Sequence, residues 1–256
     1  MLTQQRQSFI LDLLSQNGIV HTAELVEKME VSSETIRKDL SYLEKAEKLV
    51  RIHGGAIPIE ANNNTPYIPF RIRNTQYLEA KDSITAYAAS LIEENQVIAL
   101  DYGSTSQMMA FALRKRFQSL TIITNSVQNA LILNDCPKYT VILTGGILDK
   151  EELTLSNDFS SLLDHFHIDV LFMTVSGVDS KAGLTDMQIS AAKIQNEMHN
   201  ASLKTYVLAD SSKFGHASLV KICKIQDVDA IITDCGVSDA TQKEIRAAGG
   251  NLIVVP

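Results

Sequence analysis

The sequence predicts an α/β chain in two parts, a winged helix-turn-helix at 1–57 and, after a linker at 58–75, a mostly parallel α/β domain at 76–256. Three observations predict it. Residues 31–56 combine a helix carrying one apolar stripe with a short basic strand that ends at paired glycines. Residues 58–75 hold an Asn run and prolines without any sustained period. Beyond them, short runs that are apolar on both faces alternate with helical segments, and each run ends in small polar or acidic residues.

Taken in order, Phe9, Ile10, Leu13 and Leu14 share one face of a helix over 3–17, with Gly18 placed to end it. Thr22 is placed to cap a second helix, Ala23 to Met29, and Ser32 to cap a third. In that third helix Ile36, Leu40 and Leu43 recur at helical spacing and pack inward. Ser33, Arg37 and Ser41 lie one turn apart on another stripe with Lys38 beside them. Val50 and Ile52 then alternate with Arg51 and His53, which puts the two basic side chains on one strand face, and Gly54-Gly55 supplies a tight turn. A capped helix with small polar and cationic side chains beside a basic hairpin suits the major groove of duplex DNA. Arg37, Lys38, Ser33 and Ser41 are the candidates for base edges. Ser32, Thr35 and Lys48 are candidates for phosphates, and Arg51 and His53 for the backbone or minor groove.

In the second part, apolar runs lead into Asp101-Tyr102-Gly103-Ser104-Thr105, Thr124-Asn125-Ser126, Thr144-Gly145-Gly146, Ser176-Gly177-Val178-Asp179 and Asp210-Ser211-Ser212-Lys213. Ligands of parallel sheets bind at the carboxyl ends of the strands, where these clusters fall. Gly103-Ser104-Thr105 between a strand and a helix offers amides, hydroxyls and the positive end of a helix dipole, which suits an anion or merely makes a tight turn. Lys213 is a cation among strand-end hydroxyls, either a ligand contact or a solvated lysine. Asp101, Asn125 and Asp179 suit sugar hydroxyls and serve equally well as helix caps.

The bulk properties bound these readings. A formal net charge of −7 weighs against nucleic acid, yet a small domain needs only a local patch. Residues 31–56 are themselves only mildly basic, so paired copies, a homodimer or homotetramer, are expected to share the DNA contact. No apolar run approaches the ~20 residues of a membrane span, and the N-terminus lacks the apolar core of a signal peptide. Cys136, Cys223 and Cys235 have no metal-like spacing and read as reduced thiols of a cytoplasmic protein. His165 and His167 read as a surface pair. No nucleophile elbow or nucleotide-binding glycine pattern occurs, so neither catalytic residue, metal nor cofactor is expected.

These residues resemble the DeoR family of bacterial transcription regulators along almost the whole chain. The resemblance rests on Arg6, Ile10, Leu14, Ser32, the run Thr35 to Leu40, and RIHGGA at 51–56. It extends through Lys81, DYGST at 101–105, TNS at 124–126, Gly145-Gly146, GVDSKAGL at 177–184, Lys193, ADSSKF at 209–214 and ITD at 232–234. It implies a repressor, usually of a carbohydrate operon, released from double-stranded operator DNA by a phosphorylated sugar. The implied effector-binding residues are Asp101, Tyr102, Gly103, Ser104, Thr105, Thr124, Asn125, Gly145, Gly146, Gly177, Asp179, Lys193, Asp210 and Lys213. Tyr102 stands where the family carries a smaller residue, and so narrows the pocket or stacks on a sugar face.

The second part also resembles type A ribose-5-phosphate isomerase, ADSSK looking like its phosphate-loop lysine segment and GVDS like its paired-acid segment. That resemblance implies a ribose-phosphate-isomerase-like fold and raises the rival reading of an enzyme tethered to a DNA-binding domain. Isomerisation needs a carboxylate base. Here Ser180 replaces the second acid, and Ala191 and Ala192 stand where a base is wanted. The expectation is a site that binds without turnover.

Overall fold

A computed structural model describes residues 3–17, 20–46, 48–52, 54–58, 68–156 and 162–256. The chain divides into two compact units, Met1–Ile68 and Pro69–Pro256.

The first unit begins with α1 (Thr3–Asn17). Its buried stripe runs through Arg6, Ile10 and Leu14 at four-residue spacing. Phe9, expected on that face, is exposed because it sits ~100° around the helix from Ile10. Strand β1 (Val20–His21) runs straight into α2 (Thr22–Met29). Thr22 is therefore the first helical residue and not the cap. His21 holds the cap position while paired with Gly55, and the Thr22 amide donates to the Gly54 carbonyl. Gly18 lies outside the described residues.

α3 (Ser33–Lys45) starts as expected, its cap Ser32 accepting from the Thr35 amide at 3.2 Å. Ile36, Leu40 and Leu43 are buried with residues of α1, α2 and the wing. The wing is β2 (Leu49–Ile52) against β3 (Gly55–Pro58), with β1 on the far side of β3, all antiparallel. Ile52 pairs with Gly55, so Gly55 belongs to the strand, not the turn. Gly54 has φ +83°, and a Cβ on Gly55 would lie 2.0 Å from the Val20 carbonyl oxygen. In β2 Leu49 is buried and Val50 is exposed.

The second unit opens within the stretch read as linker. α4 (Phe70–Arg73) belongs to this unit, and its Phe70 and Ile72 are buried. The chain continues through α5 (Leu78–Ala89), β4 (Val97–Leu100), α6 (Ser104–Arg116), β5 (Thr121–Thr124), α7 (Val127–Leu133) and β6 (Thr140–Leu143). A hairpin of β7 (Ile147–Asp149) and β8 (Thr154–Ser156) leads to β9 (Ile168–Thr174). β10 (Gly177–Asp179), β11 (Gly183–Asp186), α8 (Ile189–Asn200), β12 (Ser202–Leu208), β13 (Val220–Cys223), β14 (Ala230–Asp234), α9 (Asp239–Ala247) and β15 (Leu252–Val255) complete it.

Seven strands form one parallel sheet in the order β15-β14-β12-β9-β4-β5-β6. Its strands read as unbroken apolar runs because both faces are covered. Ile98, Leu100, Val170 and Phe172 face one core with residues of α5, α6 and α7. Ala99, Leu171 and Met173 face the other with residues of α8 and α9. From β4 the chain winds outward to β6, then returns to β9 and winds the other way. The order thus reverses between β4 and β9, the switch point at which such sheets open a crevice. The segment at 177–179, read as a strand-end loop, is instead β10 of a small antiparallel sheet, β10-β11-β13.

Candidate functional site

On α3, Ser33, Arg37 and Lys38 are exposed and Ser41 is half-buried. Tyr42 joins that surface one turn beyond Lys38 and is 60% exposed. Sequence periodicity passed over it, although an aromatic outside the buried stripe was a signal. The helix is held from behind: Arg6 donates from Nε and Nη2 to both Asp39 oxygens, at 2.5 and 3.1 Å, and Gln7 donates to Oδ1 at 3.3 Å. The adjoining carboxylate raises the Arg6 pKa against the opposing effect of burial. Ser32 and Thr35 spend their hydroxyls on each other, 2.9 Å apart, as well as on the cap. Lys48 is exposed. Arg51 is exposed too, and leans on Glu44 at 3.7 Å while its amide donates to the same carboxylate. His53 lies outside the described residues.

In the second unit a cavity opens at the switch point. Tyr102, Gly103, Ser104 and Thr105 after β4, Thr174, Val175 and Ser176 after β9, Leu208 at the end of β12, and Arg73, Asp186 and Lys213 line it. Gly103 caps α6 with φ +119°, and a Cβ there would press to 2.8 Å from Thr174 Oγ1. The close approach lets the first turn of α6 meet β9. Ser104 and Thr105 are buried at the positive end of α6 and line the cavity.

Two cations, Arg73 and Lys213, line it, and a third, Lys81, is buried near them. The Arg73 guanidinium pairs with buried Glu152; burial lowers its pKa, but Glu152, Tyr102 and Asp186 together leave it raised. Lys81 is buried in α5 and donates to the carbonyls of Arg73 and Gln76, the latter at 2.6 Å. Burial pushes it down to about 8; Asp210 opposes that, while Lys213 and Arg73 reinforce it. Lys213 has no carboxylate within ion-pair distance among the described residues. Burial lowers its pKa, with Asp210 resisting and Arg73 assisting. Cations this close, beside a helix N-terminus, suit an enclosed anion.

Asp186 is the acidic counterweight. It accepts from Tyr102 Oη at 2.9 Å and from the Gln188 amide at 3.1 Å, and burial raises its pKa. Tyr102 lines the cavity with its hydroxyl held by that bond.

Several expected effector residues are not in the cavity wall. Asp101 is fully buried behind it, accepting from the Thr174 amide at 2.7 Å, the Thr174 hydroxyl, and Gln195 Nε2 at 2.9 Å. Burial raises its pKa well above normal, and it fastens β4 to β9 where a sugar contact was expected. Thr124 receives the Ser126 amide, and Asn125 donates to Thr154 Oγ1 at 2.8 Å, joining β5 to β8. Gly145 and Gly146, with φ +74° and +117°, make the turn from β6 to β7. Gly177 is a packing residue, where a Cβ would lie 2.7 Å from the His216 carbonyl oxygen. Asp179 accepts from the amides of Lys181 and Ala182, and these bonds lower its pKa while they shape the β10–β11 turn. Asp210 caps the 211–213 turn through the Ser212 amide. Lys193 is exposed on α8, outside the cavity lining. Nearby backbone or side-chain groups occupy Asp101, Thr124, Asn125, Asp179 and Asp210, and packing occupies Gly177. Arg73, Thr174, Ser176 and Asp186 were missed: Arg73 lay in a segment without period, and Asp186 in a strand.

His165 and His167 are both exposed. No helix among the described residues is long and apolar enough to cross a membrane.

A winged helix-turn-helix joined to a parallel α/β unit with an anion-suited cavity defines a DNA-binding regulator with a ligand-sensing domain. The profile of the DeoR-like helix-turn-helix domain matches residues 6–62, and that of the DeoR C terminal sensor domain matches 76–235. The chain is 34% identical to the HTH-type transcriptional regulator GolR of Listeria innocua over 97% of each chain. It is 31% identical to the glycerol-3-phosphate regulon repressor of Escherichia coli, covering 91% of this chain and 92% of the relative. A solved structure of ribose 5 phosphate isomerase A from Neisseria gonorrhoeae is similar over 53% of this chain and 52% of its own, with 18% identity and a TM-score of 0.40. The chain belongs to the DeoR family of transcriptional regulators. Those regulator relatives are named for transcription control and not for catalysis.

Proposed function

We propose that this regulator is a cytoplasmic repressor of a carbohydrate operon, and that a phosphorylated sugar in the switch-point cavity releases it from operator DNA. The observation that carries the reading is that Ser104 and Thr105, two buried hydroxyl residues at the start of α6, share the cavity with Lys213. A phosphate there would accept from helix amides, hydroxyls and ammonium together. Ser176, which lines the same cavity, would take a sugar hydroxyl. The relative named for glycerol-3-phosphate, itself a phosphorylated polyol, supports the same class of effector.

Arg37, Lys38, Ser33 and Ser41 read bases from the major groove, and Lys48, Arg51 and His53 hold phosphates. A homodimer or homotetramer sets two such faces on paired half-sites. By linkage, an effector that lowers DNA affinity is itself bound less tightly by the DNA complex, by the same factor. A thermal-shift panel of phosphorylated and free sugars tests this, since a ligand at 100 times its Kd adds ~2.7 kcal/mol of stability. The expected result is one responsive phosphorylated sugar whose addition also releases the protein from its own promoter DNA. A flat panel would sink the reading.

A further inference from the structure

Arg73 belongs to α4, the first element after the connector, and yet it lines the effector cavity. Its Nη1 lies 3.9 Å from the position that a Cβ on Gly103 would take, so a guanidinium stands over the N-terminus of α6. That is the wrong charge for a helix N-terminus, which favours anions. The anion that Arg73 holds is Glu152, from the turn between β7 and β8, and its side chain is completely buried.

α4 is fastened at that same end. Lys81 donates to the carbonyls of Arg73 and Gln76, closing the turn of chain that carries Arg73. A change in the guanidinium's partner is therefore felt by the backbone of 70–76. Glu152 sits in a turn whose neighbours Lys150 and Glu151 are exposed and whose amides at 151 and 152 donate to Asp149. That turn gives the carboxylate a route to solvent once its partner is taken.

We propose that Glu152 is a resident substitute for the effector's phosphate, and that Arg73 exchanges one for the other when the cavity fills. The exchange makes α4, at the start of the sensing unit, the element that registers occupancy. This rests on the reading of the cavity as a phosphorylated-sugar site. No bond is made or broken covalently; one ion pair replaces another, and Glu152 gains water.

The two partners of this ion pair then have opposite effects on binding, which a purely structural pair would not show. Isothermal titration of the full chain with inorganic phosphate, glucose 6-phosphate, fructose 6-phosphate and glycerol 3-phosphate measures it. Glu152→Gln removes the competitor and tightens the responsive ligand, while Arg73→Gln weakens it, each by roughly tenfold or more. Arg73→Lys keeps the charge without the fork and falls between. Hydrogen exchange of amides 72–76 changes on ligand addition in the wild type and not in Arg73→Gln. Weaker or unchanged binding in Glu152→Gln overturns the exchange, even where Arg73→Gln fails to fold. If the wild type binds no probe, the cavity reading falls and this inference with it. If it binds while the variants match it, only the exchange is lost.

Discussion

The two units handle charge in opposite ways. In the first, Arg37, Lys38, Lys48 and Arg51 are exposed, and the buried cation is Arg6, bound to Asp39 behind the α3 surface. In the second, Arg73 and Lys213 line an interior cavity and Lys81 is buried near them, with Glu152, Asp186 and Asp210 as the acids among them. Exposed cations suit a long polyanion that brings its own solvent and counterions. Buried cations suit a small anion that can be enclosed, because a low dielectric strengthens the interaction. The chain is acidic overall with a net charge of −7, so the placement of cations and not their number separates the two roles.

Breaking the buried pair of the first unit is the largest test of this contrast. Arg6→Met strands Asp39 and is expected to cost ~3 kcal/mol, read as a lower first unfolding transition by calorimetry and weaker binding to all DNA. An unmoved transition would show that the pair does not hold α3. The second test uses Lys81. Its folded pKa of about 8 lies below the ~10.4 of an unfolded lysine, so between those values the unfolded chain binds the extra proton. Stability from this group therefore rises with pH across that window, by up to ~3 kcal/mol, and below pH 8 its burial is a cost. Denaturant titrations at pH 7, 8.5 and 10 should favour the wild type over Lys81→Met increasingly as pH rises. A constant difference would mean that Lys81 stays charged.

The smallest effects separate the exposed cations from one another. Arg37→Ala is expected to relax base preference by ~1–3 kcal/mol at one or two operator positions. Lys48→Ala should weaken operator and random duplex alike and lower the salt slope by about 1. Equal losses on both duplexes for Arg37→Ala would remove it from the base-reading set.

The helix-turn-helix and the parallel sheet were legible because periodicity reports burial. Ile36, Leu40 and Leu43 mark one helix face, and Val170 to Met173 mark a strand covered on both sides. The cavity was legible only in part. Tyr102 to Thr105 and Lys213 line it as anticipated, but Asp101, Asn125 and Asp179 do not. A polar side chain at a strand end has the same chemistry whether it binds a ligand or a neighbouring amide. Backbone amides and neighbouring side chains claimed those residues first. Arg73 was hidden for another reason: α4 is one turn long, too short to show a period.

What the sequence by itself determined is therefore local: the Ser32 cap, the α3 stripe, the basic wing, and the alternation of buried strands with helices. Family membership followed from the same residues. Only the tertiary structure decided which strand ends meet. The reversal between β4 and β9 sets Tyr102 to Thr105 against Thr174 to Ser176, and folding brings Arg73 and Lys213 to the same cavity from distant parts of the chain. Strand order depends on how helices cover two sheet faces at once, a property of the packed whole that no local period encodes.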